Sequence, residues 1–172
     1  YVIGNAINKE ILLGNKDVDE YIIWNKNNFW ELVRHLRREK IDFACQTSPI
    51  FSFLATFYLA GISSIATPKI ENGYCPWETT AYKILRRLAI CIPQRMGSYA
   101  PREYLKLLES IDIHTDNTKK YLSFSREAEK KIENLFLENE IKKEDFLVCI
   151  SPAAGNKIKQ WPAERFAEVA DY

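Results

Sequence analysis

The sequence predicts an α/β fold with a mostly parallel sheet, on three observations. Short β-rich runs alternate with helical patterns along the chain. The stretches between the runs are long enough for the crossovers that parallel strands require, and no repeat or low-complexity tract interrupts the alternation.

The elements follow in order. Tyr1 to Ile3 reads as a strand, and so does Glu20 to Trp24 (EYIIW), which the turn formers Gly14, Asn15, Lys16 and Asp17 introduce. From Phe29, the apolar positions Phe29, Leu32, Val33 and Leu36 fall at i, i+3, i+4 and i+7, with Arg34, Arg37, Arg38 and Glu39 facing water, which predicts an amphipathic helix. Ile41 to Gln46 reads as a short strand, and Pro49 suits the first turn of an apolar helix that Gly61 closes. Ile62 to Ala66 follows as a strand, Pro68 to Pro76 as a loop, and Thr79 to Ile90 as a helix with Ala81, Ile84, Leu85 and Leu88 on its inner face. Pro101 opens another helix (PREYLKLLES). Ser125 is an N-cap for Arg126 to Asn139, whose inner face is Ala128, Ile132, Leu135 and Phe136. After a charged joint, Lys142 to Asp145, comes the strand pattern Phe146 to Ile150 (FLVCI).

Composition narrows the functional classes. With 47% hydrophobic and 27% charged residues, the 172-residue chain is long enough for one core. Its 24 basic and 23 acidic side chains nearly cancel, which argues against nucleic acid as the main partner. Cys45, Cys75, Cys91 and Cys149 lie far apart with no CxxC pair, the pattern of reduced thiols in a cytosolic protein rather than of a metal site. The most apolar stretch, Ile50 to Ile62, is shorter than the roughly 20 residues a bilayer crossing needs and reads as a buried helix. Tyr1 to Asn5 is strand-like without a basic leader, so the chain is expected to open within the fold.

The chemistry concentrates in Phe146 to Tyr172. An apolar strand leading through the small residues Ser151, Pro152, Ala153, Ala154 and Gly155 to a helix start near Pro162 would aim backbone N–H groups and a positive helix end at one spot. Lys157 and Lys159 would add charge there, the outline of a diphosphate site. Neither the GxxxxGK[ST] loop nor the GxGxxG fingerprint is present, and the latter absence sets aside a dinucleotide-dependent dehydrogenase. Loops with one glycine and two lysines also occur in α/β proteins that bind nothing there.

The whole string adds more. Ser151-Pro152-Ala153-Ala154-Gly155, followed after a short gap by Lys159-Gln160-Trp161-Pro162-Ala163-Glu164-Arg165-Phe166-Ala167-Glu168-Val169-Ala170, resembles the signature of heptosyltransferase-type enzymes, glycosyltransferase family 9. The segments Asn15 to Ile22 and Lys40 to Phe43 resemble the family's entries to its third and fourth strands. This sequence departs from the family pattern at Ser151, where a histidine is usual, and at Ala153, where a glycine is usual.

The resemblance implies a GT-B architecture of two Rossmann-like domains. Residues 1–142 would be the acceptor-side domain without its first strand, and residues 143–172 the start of the nucleotide-sugar domain. It further implies metal-free, inverting transfer of a sugar, heptose by analogy, from a nucleotide diphosphate such as ADP-heptose to a lipopolysaccharide core or similar glycan. No cofactor beyond the donor is implied. The implied setting is the cytoplasm, with peripheral contact at the inner face of the cytoplasmic membrane left open. Lys159 matches the family lysine near the diphosphate, and Ser151, Ala154, Gly155 and Lys157 are the further expected donor contacts. The family's base aspartate sits in a Gly-Asp pair after the first strand; no Gly-Asp pair occurs in this sequence, so no catalytic residue is assigned. A non-catalytic α/β binding module derived from such a transferase is the competing reading.

Two groups invite other readings. Asp112, His114 and Asp116 alternate on a loop and read as a solvated turn. Tyr74, Trp77 and Tyr99 suit either sugar stacking or the core.

Overall fold

In the computed structural model, which describes residues 1–12 and 14–171, the alternation is present and every strand pairing is parallel. The chain divides into two units, Tyr1–Phe124 and Ser125–Tyr172. The first unit runs β1 (Val2–Gly4), α1 (Ala6–Leu12), β2 (Tyr21–Ile23), α2 (Phe29–Arg38), β3 (Phe43–Cys45), α3 (Phe51–Ala60), β4 (Ser64–Asn72), α4 (Thr80–Leu85), β5 (Ile90–Arg95) and α5 (Ala100–Leu105). A 3-10 turn over Lys106–Ile111 extends α5. β1 pairs with β2, and β3, β4 and β5 form a separate sheet in that order.

Helix α2 takes the predicted face: Leu32, Val33 and Leu36 are buried. Its start is pinned to the strand before it, because the Asn28 side-chain amide donates to the Ile23 carbonyl at 2.8 Å. Helix α3 buries Leu54, Thr56, Phe57 and Ala60 and ends on Gly61, whose φ of 82° is the left-handed conformation that spares glycine the Cβ clash. The Thr56 hydroxyl donates to the Ser52 carbonyl at 2.8 Å, whereas the buried Tyr58 hydroxyl on the same helix has no partner among the described residues. Leu32, Leu36, Leu54, Phe57, Ala60, Ile62, Ile65 and Tyr82 form one core cluster. No described helix is long and apolar enough to cross a membrane.

Three expectations are corrected here. Pro68 to Asn72 is not a loop but the second half of β4. The ladder tolerates Pro68 for a positional reason. Ala66 turns its carbonyl to β3, accepting from Gln46 N–H at 3.2 Å, and Pro68, two residues on, faces the same side beyond the end of β3. There its carbonyl accepts the Tyr82 hydroxyl at 2.6 Å. The helix expected to reach Ile90 ends at Leu85, and β5 follows, its Pro93 acceptable on an edge strand. The inner face of α4 is set by Tyr82, fully buried, whereas Ile84 and Leu88 are 61% and 74% exposed. A phenol with two hydrogen bonds to make outweighs the aliphatic pattern in fixing that helix's rotation. Helix α1 was not expected at all; it buries no residue, so it has no core face to reveal it.

Tyr82 ends a buried chain of hydrogen bonds: the Gln46 side-chain amide donates to Thr67 Oγ1 at 2.7 Å, and Thr67 Oγ1 lies 2.6 Å from Tyr82 Oη. Burial pushes the Tyr82 phenol up to about 12, against the lowering effect of its Thr67 and Gln46 bonds, so it stays neutral.

The second unit holds α6 (Arg126–Glu138) and α7 (Ala163–Ala170). Ser125 caps α6 as expected, its side chain accepting from Ala128 N–H at 3.2 Å. The strand expected over residues 146–150 is absent among the described residues. A strand is stabilised by its ladder, and no neighbour pairs with this run, which leaves Phe146 93% and Val148 67% exposed.

Leu54→Ala should cost about 2–5 kcal/mol by cavity formation, read as a lowered denaturation midpoint. Tyr82→Phe should cost about 1–3 kcal/mol, because it strands the buried Pro68 carbonyl. Glu103 anchors the end of β5: its carboxylate pairs with Lys106 Nζ at 2.7 Å and accepts from Arg95 N–H at 3.1 Å. The Lys106 ammonium holds its carboxyl below the usual value of 4.5. A carboxyl lowered on folding adds stability that is complete above its unfolded value and lost as pH falls through the folded one. Denaturation midpoints should therefore fall below about pH 4.5, less steeply in Glu103→Gln.

Candidate functional site

The loop from Ser151 to Gln160 is organised by its own amides. The Asn156 side-chain oxygen accepts from Ile158 N–H at 3.2 Å and starts a 3-10 turn over Lys157–Lys159. Lys159 N–H donates to Asn156 O at 2.9 Å, and Gln160 N–H to Lys157 O at 3.0 Å. The Gln160 side-chain amide reaches back to the Ala154 carbonyl at 3.2 Å and closes the loop.

Ser151, Gly155, Lys157 and Lys159 are exposed and Ala154 is half-buried, so every expected contact residue lies at or near the surface. Of these, Ala154 is tied into the closed loop through the Gln160 side chain, and Lys157 and Lys159 through backbone bonds of the turn. Positions on a 3-10 turn rotate by about 120° per residue, so Lys157 and Lys159 leave the turn in different directions. Asn156 and Gln160 organise the loop and were not singled out from sequence; the readable signal was an Asx residue just before a turn.

Pro162 is the N-cap of α7 and supplies no side-chain cap. Its carbonyl accepts from Arg165 and Phe166 N–H at 3.1 and 3.4 Å, leaving the N–H groups of Ala163 and Glu164 as the open donors of the helix start. Trp161 packs edge-on against Phe166, ring centroids 5.0 Å apart, and locks the chain direction into the helix. Glu164 in the first turn is the one element working against an anion there.

Other candidates resolve as ordinary structure. His114 lies 3.1 Å from Asp112 on the surface, and among the described residues no group of three His, Cys, Asp or Glu residues is placed to hold a metal. Arg37 donates to the Leu59 carbonyl at 2.6 Å, Arg34 to the Trp30 carbonyl at 3.2 Å, and Arg38 to Glu39 at 3.4 Å, so all three arginines of α2 are engaged. Tyr74, Trp77 and Tyr99 are 84%, 61% and 52% exposed and so are not core.

The described residues thus include parallel α/β structure and, in the second unit, a closed small-residue loop, a lysine-bearing turn and a helix start without a side-chain cap. The family is shown by comparison: the chain belongs to glycosyltransferase family 9 (heptosyltransferase), whose model matches residues 79–172, more than half of the chain. The crystal structure of the glycosyl transferase family 9 from Veillonella parvula DSM 2008 is similar at a TM-score of 0.72 and 17% identity. The superposition covers 99% of this chain and 49% of that one, so this chain spans about half the length of that protein. At such identity the likeness shows the fold, parallel sheet with flanking helices. Comparison with curated proteins finds no match.

Trp161→Ala removes a ring pair of about 0.5–1.5 kcal/mol, and amide exchange at Phe166 should rise about two- to tenfold. The amides of the first unit should not change.

Proposed function

We propose that the chain is part of a GT-B glycosyltransferase that moves a sugar, heptose by family analogy, from a nucleotide diphosphate to a lipopolysaccharide core or similar glycan, with inversion and without a metal. On this reading residues 1–142 serve the acceptor side, and residues 143–172 begin the nucleotide-sugar side. The observation that carries it is family membership over a region that contains the whole loop, turn and helix start from Ser151 to Ala170.

The chemistry assigned to the loop is leaving-group stabilisation. As the acceptor hydroxyl attacks the anomeric carbon, a carboxylate takes its proton, and the bond to the diphosphate oxygen breaks with its electron pair on the phosphate. A fixed cation beside that oxygen offsets the charge that develops. Lys159, last in the turn and nearest in sequence to the uncapped helix start, is assigned this role. Ser151 and the N–H groups of Ala154 and Gly155 are assigned as diphosphate contacts, with Lys157 secondary because Lys159 is the one that matches the family lysine. The sequence holds no Gly-Asp pair, so residues 1–172 by themselves carry no assigned base and are proposed to transfer no sugar. The same observation favours the competing reading, a non-catalytic module descended from a transferase.

In a polypeptide carrying both domains, Lys159→Ala should lower transfer from an ADP-linked sugar about tenfold to a hundredfold, the worth of one charge-assisted contact. Lys157→Ala should do less. Equal and small effects would remove Lys159 from the donor site, and no turnover with any nucleotide sugar would favour the module.

A further inference from the structure

The loops that follow β4 and β5 leave the sheet at the same edge, because the two strands are parallel and end at Asn72 and Arg95. Open α/β sheets hold their ligands beyond the carboxyl ends of their strands, so these loops stand on the side where binding residues are expected. From Asn72 to Trp77 (NGYCPW), and again from Met96 to Tyr99 (MGSY), there is no charged residue. Glu71 and Arg95, which precede the two loops, pair with each other at 3.8 Å. The side chains offered instead are Tyr74, Trp77, Met96 and Tyr99, all exposed.

Exposed rings are ordinary on a loose loop, but these loops are fastened. The Asn72 side chain takes both peptide groups of Met96: its oxygen accepts the N–H at 2.8 Å and its amide donates to the carbonyl at 3.3 Å. Gly73 lies against Met96, whose side chain a Cβ at that position would meet at 3.4 Å, and its φ of 87° suits glycine for the same turn. At the far end of the first loop the Glu78 carboxylate accepts from Ile70 N–H at 3.3 Å and pairs with Arg86. Glu78 N–H closes a turn onto the Cys75 carbonyl at 3.1 Å. Tyr74 and Trp77 are therefore presented on a backbone held at both ends, and the ordering that usually weakens binding by a loop has already occurred in folding.

We propose that Tyr74 and Trp77, with Tyr99 beside them across the Asn72 clamp, form a stacking platform for neutral sugar rings of the glycan acceptor. The C–H face of a pyranose is flat and weakly positive, which suits the negative face of an aromatic ring, and its hydroxyls can meet the phenol and indole groups at the ring edges. An anionic ligand finds no cation within either loop, and a purely apolar one leaves those polar edges unused. The proposal rests on the transferase reading only in calling the glycan an acceptor; the platform itself rests on the two loops.

The test follows the amide and indole N–H resonances of residues 1–172 during titration with lipid-free, dephosphorylated lipopolysaccharide core oligosaccharide. The resonances of Gly73 to Trp77 and of Met96 to Tyr99 should shift and saturate. Trp77→Ala should weaken binding about two- to tenfold, the worth of one ring pair, and Trp77→Phe should restore most of it, both with the wild-type spectrum elsewhere. In a polypeptide carrying both domains, Trp77→Ala should raise the acceptor KM by the same factor and leave the nucleotide-sugar KM unchanged. Sugar binding at these loops without turnover would keep the platform and remove the transfer reaction. Turnover with an unchanged acceptor KM in Trp77→Ala would keep the reaction and overturn the platform. Sugar-induced shifts confined to other residues, or none at all, would also overturn it. Shifts in these loops with phosphatidylglycerol vesicles but not with the oligosaccharide would assign the rings to a lipid surface and overturn the proposal.

Discussion

A parallel strand cannot satisfy its own peptide groups: alternate residues point to opposite sides, and each side needs a neighbour. The strands of this chain differ mainly in how far that requirement is met. β4 has neighbours on both sides and four consecutive buried positions, Ile65, Ala66, Thr67 and Pro68, which is possible only with both faces covered. β1 and β3 each have one partner and share a cavity on the other side. Residues 146–150 have the strongest strand composition in the second unit, no partner and no strand.

Where the ladder runs out, side chains take over. Pro68 stands where β4 has outrun β3, and the carbonyl that would have met a strand meets Tyr82 instead. Through Thr67 and Gln46 the same phenol ties β4, α4 and the end of β3 together. Such a network is worth more intact than in parts, because any partner removed leaves a buried polar atom dry. Glu103 serves similarly at the end of β5, where a carboxylate receives the Arg95 N–H.

The loop of the second unit shows the same economy on a smaller scale. Asn156 and Gln160 hold the turn with side-chain bonds, leaving both lysines unburdened by loop structure and the first N–H groups of α7 without a side-chain cap. Family membership gives this arrangement a chemical context, while the 17% identity of the solved relative leaves its details to this chain's own residues.

Much of this was legible in the sequence, for local reasons. Leu32, Val33 and Leu36 announced α2 by spacing, Gly61 announced the end of α3, Ser125 the start of α6, and the string from Lys159 to Ala170 the family. Each depends on residues within a turn or two of one another, so the chain carries the information without its tertiary context. What the sequence did not determine depended on distant partners. Pro68 read as the start of a loop until its carbonyl proved to have a phenol waiting. Ile84 and Leu88 looked like core until Tyr82 took the inner face, and Phe146 to Ile150 looked like a strand though nothing pairs with it. Propensity is a property of a segment, whereas pairing, rotation and burial are properties of what lies across from it, and only the tertiary structure supplies that.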